Sequence, residues 1–259
     1  MAARRAVTFD LWHTLLYLEP EAEAEYLARQ LAAAVEVLTD SDPGPGAVRT
    51  PVVDPKTAFQ TELKRAVFES HAGRTVTPAE QIVRAAAACG RAPRPQAFEE
   101  ALGRVVAATP FRTAPGALEA LAEIRRLDAS VGILSNTVGE PGRFLREHLS
   151  KLGFDRSVEV YAFSDEHPWT KPAPEIFQWT LNRLGSEPRS AIHVGDGWAD
   201  LEGARRTGLR AGILYSGLQR YAPEYRALNY APPIDPALVD AQIESLADVV
   251  PIVAEWTAA

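Results

Sequence analysis

The sequence predicts an α/β fold: a doubly wound parallel sheet interrupted by an inserted all-helical domain. Three observations predict it. A short apolar segment near the N-terminus ends at once in an acid, a long stretch after it carries only helical periodicity, and the second half of the chain alternates apolar runs with amphipathic ones.

Taken in order, Ala6, Val7, Thr8 and Phe9 are apolar or β-prone and run straight into Asp10, so they read as a buried strand that delivers a carboxylate at its end. Residues 19–38 change to Ala, Leu and Glu at helical spacing, with Tyr26, Leu27, Leu31, Val35 and Leu38 marking an apolar face. Breakers crowd residues 39–55, centred on Asp42-Pro43-Gly44-Pro45-Gly46, and predict a loop. Helical patterns return at 56–71, at 78–88 behind the capping residue Thr77 with Pro78 in the first turn, and at 96–106.

After Pro115-Gly116 the character changes. Helices over residues 117–127, 142–152, 174–184 and 199–207 alternate with strands over 131–134, 158–163, 191–194 and 211–215, and one more amphipathic helix is expected at 239–250. Such alternation implies parallel strands with right-handed helical crossovers, and functional groups then gather beyond the carboxyl ends of the strands. The first strand belongs to the same sheet. The chain therefore divides into an α/β core domain, residues 1–15 and 111–259, and a helical domain inserted over residues 16–110.

Composition narrows the function classes. Hydrophobic residues at 46% and charged residues at 24% are those of a globular protein and exclude a disordered or fibrous chain. A net charge of −7 without a basic stripe argues against nucleic acid or an anionic membrane as partner, because both are bound by clustered Lys and Arg. Cys89 is the only cysteine, no signal-like segment opens the chain, and no apolar run is long enough to span a bilayer. These features lead us to expect a cytoplasmic protein, monomer or homodimer, acting on a small molecule.

The strand ends collect a short list of polar residues. Asp10 and Thr14 follow the first strand, Ser135 and Asn136 another, Asp196 and Asp200 a third, and Lys171, one of four lysines in the chain, lies in a loop. Any one of them alone is more often a cap, a turn or a surface residue.

Together they fall in four segments: Phe9-Asp10-Leu11-Trp12-His13-Thr14-Leu15, Ile133-Leu134-Ser135-Asn136, Lys171-Pro172-Ala173-Pro174-Glu175-Ile176-Phe177 and Val194-Gly195-Asp196-Gly197-Trp198-Ala199-Asp200. In this order and spacing the chain resembles the haloacid dehalogenase-like superfamily, hydrolases with a Rossmann-like core and, here, an α-helical C1-type cap. The resemblance implies that Asp10 is a nucleophile forming a covalent aspartyl intermediate that water then hydrolyses. It implies Mg²⁺ as cofactor, with Asp10, the Trp12 backbone carbonyl and Asp196 as ligands and Asp200 steadying the metal waters or Lys171. Lys171, Ser135 and the Asn136 backbone would contact the transferring group, Thr14 would assist the nucleophile, and His13 would lie beside the substrate. The activity implied is phosphatase-type hydrolysis of a small phosphorylated metabolite.

One position departs from the pattern. Phosphatases of this family carry a proton-exchanging aspartate two residues after the nucleophile, where this chain has Trp12. His13 and His167 are the candidates to replace it, whereas His193, inside a strand, reads as a packed core histidine. An aromatic residue there is similar to the family's metal-independent 2-haloacid dehalogenases, whose departing halide needs no proton. Those enzymes lack the acid found here at Asp196 and receive the halide on an early cap arginine, for which Arg29 and Arg49 are the candidates. A third reading is a catalytically weak binding or scaffold member. Tyr26, Phe59 and Phe68 of the cap are expected in its core or lining the substrate pocket.

Overall fold

The structure is a computed structural model and describes residues 4–43, 53–219 and 232–256. The chain opens with β1 (Ala6–Phe9) and β2 (Leu16–Tyr17), passes through α1 (Pro20–Thr39), α2 (Pro55–His71), α3 (Pro78–Ala88) and α4 (Pro95–Ala108), and returns in β3 (Arg112–Thr113). It continues as α5 (Ala117–Arg126), β4 (Ser130–Ser135), α6 (Gly142–Leu152), β5 (Val160–Phe163), α7 (Pro174–Leu184), β6 (Ala191–Gly195), α8 (Trp198–Thr207) and β7 (Ala211–Tyr215). The last elements are β8 (Ala241–Ile243) and a helix, α9 (Val249–Glu255).

Six strands form one parallel sheet in the order β5-β4-β1-β6-β7-β8. In sheet-strand numbering this is the order 3-2-1-4-5-6 of the Rossmann-like doubly wound fold, whose crevice opens between the first and fourth sheet strands, here β1 and β6. β1 is central and wholly buried. Its alternation feeds both layers: Val7 and Phe9 join the core under α5, α6 and α9, while Ala6 packs with Leu181 and Leu184 of α7 on the other face.

Helices α1 to α4 enclose a second core of Ala34, Val37, Leu38, Ala58, Phe59, Ile82, Ala85, Ala86, Cys89, Phe98 and Leu102. Their starts are written in the sequence. Asp54 caps α2 by accepting from Thr57 N at 3.0 Å, and Thr77 with Glu80 forms a reciprocal capping box at α3. The two chain crossings between core and helical insertion pair as a small antiparallel ribbon, Leu16 opposite Thr113 and Tyr17 opposite Arg112.

Two expectations need correction, and one element was not foreseen. Residues 239–250 are not one helix: Ala241–Ile243 adds a parallel edge strand to β7, and the helix begins only at Val249. The buried face of α1 is Tyr26, Gln30, Ala33, Ala34, Val37 and Leu38, with Leu27, Leu31 and Val35 on its shoulder, because the Ala-rich turn packs closely and Gln30 faces a buried acid. The β2–β3 ribbon was not expected, since two residues per strand carry no periodicity. Of the predicted loop, residues 44–52 lie outside the described residues, and so does Arg49.

Candidate active site

The carboxyl ends of β1, β4 and β6 meet at the crevice between them. Asp10 follows β1 directly, its backbone N–H donating 2.8 Å to the Val194 carbonyl of β6, and the chain then turns tightly with Leu15 and Leu16 both donating to the Leu11 carbonyl at 2.9 Å. The turn sets His13 at φ 57° and brings Thr14 back, so that its hydroxyl reaches Asp10 Oδ2 at 3.4 Å. One carboxylate oxygen, Oδ1, is taken by the ammonium of Lys171.

Lys171 is almost completely buried and joins three elements. Besides Asp10 it donates to Asp200 Oδ1 at 2.6 Å and to the Leu134 carbonyl at 3.1 Å. Its backbone is clipped by Asn136, whose side chain accepts from Lys171 N at 2.9 Å and donates to Lys171 O at 3.0 Å. The Asn136 side chain thus positions the lysine, which leaves only its backbone for the role implied at the sequence level. The Lys171-Pro172 peptide is cis.

Asp200 reaches the site from the first turn of α8. Its Oδ1 also accepts from His193 Nε2 at 3.0 Å and its Oδ2 from Gly197 N at 3.0 Å, so that both oxygens are engaged. The carboxylate lies flat against the end of β6: a Cβ on Gly195 would stand 2.2 Å from Asp200 Cγ, and only glycine leaves that space. Asp10, Asp196 and Asp200 each offer an oxygen within 4.8 Å of the others.

Electrostatics follow from burial and from three carboxylates meeting one ammonium. Burial pushes Asp10 up to about 7; Lys171 pulls it down, while Asp200 and Asp196 push it further up. Burial would also raise Asp200, but Lys171 and the His193 hydrogen bond outweigh it and hold the group well below the carboxylate range. Lys171 is the converse: burial would lower it, yet Asp10 and Asp200 hold it above the ordinary lysine value. The cluster stays net negative, and its donors are hard oxygens of the kind that suit a divalent cation such as Mg²⁺. Ser135 Oγ, fully buried at the end of β4, has no hydrogen-bond partner among the described residues.

The histidines separate. His193 is a buried strand residue as expected, but not an idle one. Burial lowers its pKa against the pull of Asp200, whose Oδ1 lies 3.0 Å from Nε2, and Nδ1 lies 2.9 Å from the Thr8 hydroxyl, which also donates to the Ile192 carbonyl at 3.2 Å. Thr8 and His193 are register partners on adjacent strands, a signal the sequence held in the two polar residues at matching positions of otherwise apolar strands. His13 is buried, its Nε2 3.3 Å from Glu23 Oε1 of α1; burial would lower its pKa, and the Glu23 hydrogen bond with the charges of Asp196, Glu23 and Asp10 raises it instead. His167 packs on Trp179, ring centroids 4.3 Å apart, and is not brought to the carboxylates. Arg29 pairs with Glu25 on the exposed side of α1 and does not face the site either.

The Trp12 indole is bound by another acid. Its Nε1 donates 3.0 Å to Glu140, a buried acid in the loop between β4 and α6 that sequence reasoning missed, because a carboxylate in a Gly- and Pro-flanked turn is ordinarily exposed. Tyr26 joins this cluster, Phe59 is core of the helical insertion against Phe98, and Phe68 is exposed. Among the described residues no helix is long and apolar enough to cross a membrane.

Comparison with known proteins agrees with this geometry. The family described as haloacid dehalogenase-like hydrolase matches residues 4–208. Phosphoglycolate phosphatase 1 of Pseudomonas aeruginosa is 26% identical over 137 residues, 53% of this chain and 46% of that protein. (S)-2-haloacid dehalogenase 4A of Burkholderia cepacia is 29% identical over 141 residues, 54% of this chain and 55% of that one. The chain thus spans about half the length of the curated relatives it matches. Among solved structures, a HAD phosphatase from Thermococcus onnurineus superposes with a TM-score of 0.62 at 20% identity, covering 96% of this chain and 97% of that one, a likeness of fold.

Proposed function

Because this chain belongs to the haloacid dehalogenase-like hydrolases, we propose that it is a Mg²⁺-dependent phosphatase-type enzyme acting on small phosphorylated metabolites, with Asp10 as nucleophile. The observation that carries the reading is the Asp10 carboxylate set at the sheet crevice against Lys171, with Asp196 and Asp200 within reach of the same point. We take residues 1–15 and 111–259 as the hydrolase core and 16–110 as its cap.

In this reading Asp10 attacks the phosphorus through the oxygen not bound to Lys171, the bond to the leaving oxygen breaks, and water later cleaves the aspartyl phosphate. Thr14 steadies the attacking oxygen. Lys171 neutralises charge on the transferring group, helped by the unpartnered Ser135 hydroxyl and the Asn136 backbone, and Asp200 with His193 and Gly195 holds that lysine in place. Asp10, Asp196 and the Trp12 carbonyl would hold Mg²⁺, which supplies charge neutralisation at the phosphoryl oxygens. Asp200, with both oxygens engaged, serves as their anchor. His13 stands beside the substrate, tied to Glu23. Trp12 exchanges no proton, so leaving groups that depart without one are favoured; the missing assistance is worth on the order of 10²–10⁴ in rate.

The same observation at Trp12 favours a second reading, a metal-independent 2-haloacid dehalogenase, in which Asp10 attacks carbon and halide leaves. Two assays separate them. Release of phosphate from p-nitrophenyl phosphate that requires Mg²⁺ supports the first; release of chloride from 2-chloropropionate in the presence of chelator supports the second. Silence in both favours a binding or scaffold role. The small-molecule partner, the cytoplasmic setting and a monomeric or homodimeric state belong to this proposal; the net charge of −7 and the single cysteine support the first two.

A further inference from the structure

Glu140 is buried at the seam between core and helical insertion, and among the described residues no lysine, arginine or histidine is one of its hydrogen-bond donors. Oε1 accepts from Trp12 Nε1 at 3.0 Å; Oε2 accepts from Gln30 Nε2 at 3.2 Å and from the Tyr26 hydroxyl at 3.4 Å. Gln30 Nε2 also donates to the neighbouring Gly139 carbonyl at 3.2 Å. Two of the three donors are on α1 and the third is on the loop that carries Asp10.

The surroundings tie the same two elements. Tyr26 and Gln30 are four residues apart and share a face of α1, and Glu23, three residues before Tyr26, meets His13 of the same loop from one turn earlier. The Trp12 ring lies 6.1 Å from Tyr26 and 5.3 Å from Phe111, which follows α4 on the return to the core, and Tyr26 stands 5.4 Å from Phe111. A face of α1 that is otherwise Ala, Val and Leu therefore turns polar where it meets Trp12 and His13.

We propose that Glu140 is a positioning residue that couples the cap to the nucleophile loop: one carboxyl group holds the Trp12 indole and the cap helix α1 together, so that the seating of the cap and the shape of the loop after Asp10 are set jointly. The indole N–H is consumed by this tie, which accounts for a tryptophan at the position where a proton-exchanging acid would point at substrate.

The inference rests on the reading of residues 16–110 as a cap, and its test does not depend on catalysis. Hydrogen exchange is followed by mass spectrometry on the full chain in three variants: Tyr26→Phe with Gln30→Met, which removes the cap-side donors and keeps Glu140 and Trp12; Trp12→Phe, which removes the core-side donor; and Glu140→Gln. The cap-side variant is expected to accelerate exchange at least about tenfold both in the first half of α1 and in residues 11–17, with β4 and β6 unchanged. Trp12→Phe is expected to loosen α1 although it alters no residue of the helix, and adding the cap-side changes to Glu140→Gln is expected to add little further. Acceleration confined to the element that carries the substitution, or full additivity with Glu140→Gln, would overturn the coupling. Absence of phosphatase activity in the parent chain would reject the proposed chemistry while leaving this readout intact.

Discussion

Glu140 makes the pH dependence of stability measurable at a single residue. Burial above all pushes its carboxyl from 4.5 up to about 7; the hydrogen bonds from Gln30, Trp12 and Tyr26 draw it down, and Asp165 adds to the rise. Below pH 4.5 the group is protonated in folded and unfolded chains alike and has no effect on their balance. Between 4.5 and about 7 the folded chain still holds the proton that the unfolded chain has released, so stability falls as pH rises through this window and levels off above it. At 1.36 kcal/mol for each pH unit of the interval, the loss is on the order of 3 kcal/mol, and the group is too buried for solvent to screen it much. Asp10 and Asp200 titrate abnormally as well, so the assay is a difference: urea unfolding of the parent and of Glu140→Gln across pH 4.5 to 8. Glutamine has no charge to gain, and the stability of the parent relative to the variant should drop by that amount as pH rises. A difference that stays level, or that grows with pH, would refute the assignment of a buried, cation-free carboxyl.

Other perturbations read the site itself. Lys171→Met leaves Asp10 and Asp200 buried without their cation and should cost about 3–5 kcal/mol near pH 8, less at pH 5 where Asp10 can take up a proton, as urea midpoints would show. Gly195→Ala drives a Cβ into the Asp200 carboxylate and should destabilise by about 1–3 kcal/mol while displacing the acid from Lys171, visible as lost thermal stability with lost turnover; an unaffected protein would contradict the packing described. Chelation of divalent cations should abolish phosphate release and added Mg²⁺ restore it, whereas turnover indifferent to chelator would favour the dehalogenase reading.

The sequence and the structure agree where one residue type carries one physical message. Apolar runs that end in an acid gave the central strands, and the helices that follow Pro or Gly begin and end close to where the pattern places them, as in α6 and α7. The convergence of Asp10, Lys171, Asp196 and Asp200 was legible because three strand ends and one loop each presented a polar group, a coincidence that caps and turns do not explain together. What escaped was polar burial. Glu140 and Gln30 look like surface residues in any local window, and their burial is decided by each other across 110 positions of chain. The edge strand at Ala241–Ile243 escaped for a related reason: three residues have no period, and only the open edge of β7 makes them a strand. Asn136 entered through its motif as a backbone donor; that its side chain also holds the Lys171 backbone was not foreseen, because that partnership depends on the approach of two loops.

The claim on which the mechanism stands is that Asp10 forms a covalent bond to the group being transferred. Quenching the enzyme in acid during turnover of p-nitrophenyl phosphate with Mg²⁺, followed by peptide mapping in a mass spectrometer, should find a phosphoryl group on the peptide containing Asp10, with neither adduct nor turnover in Asp10→Asn. Turnover that proceeds undiminished in Asp10→Asn, or a phosphoryl group trapped on another residue, would contradict it.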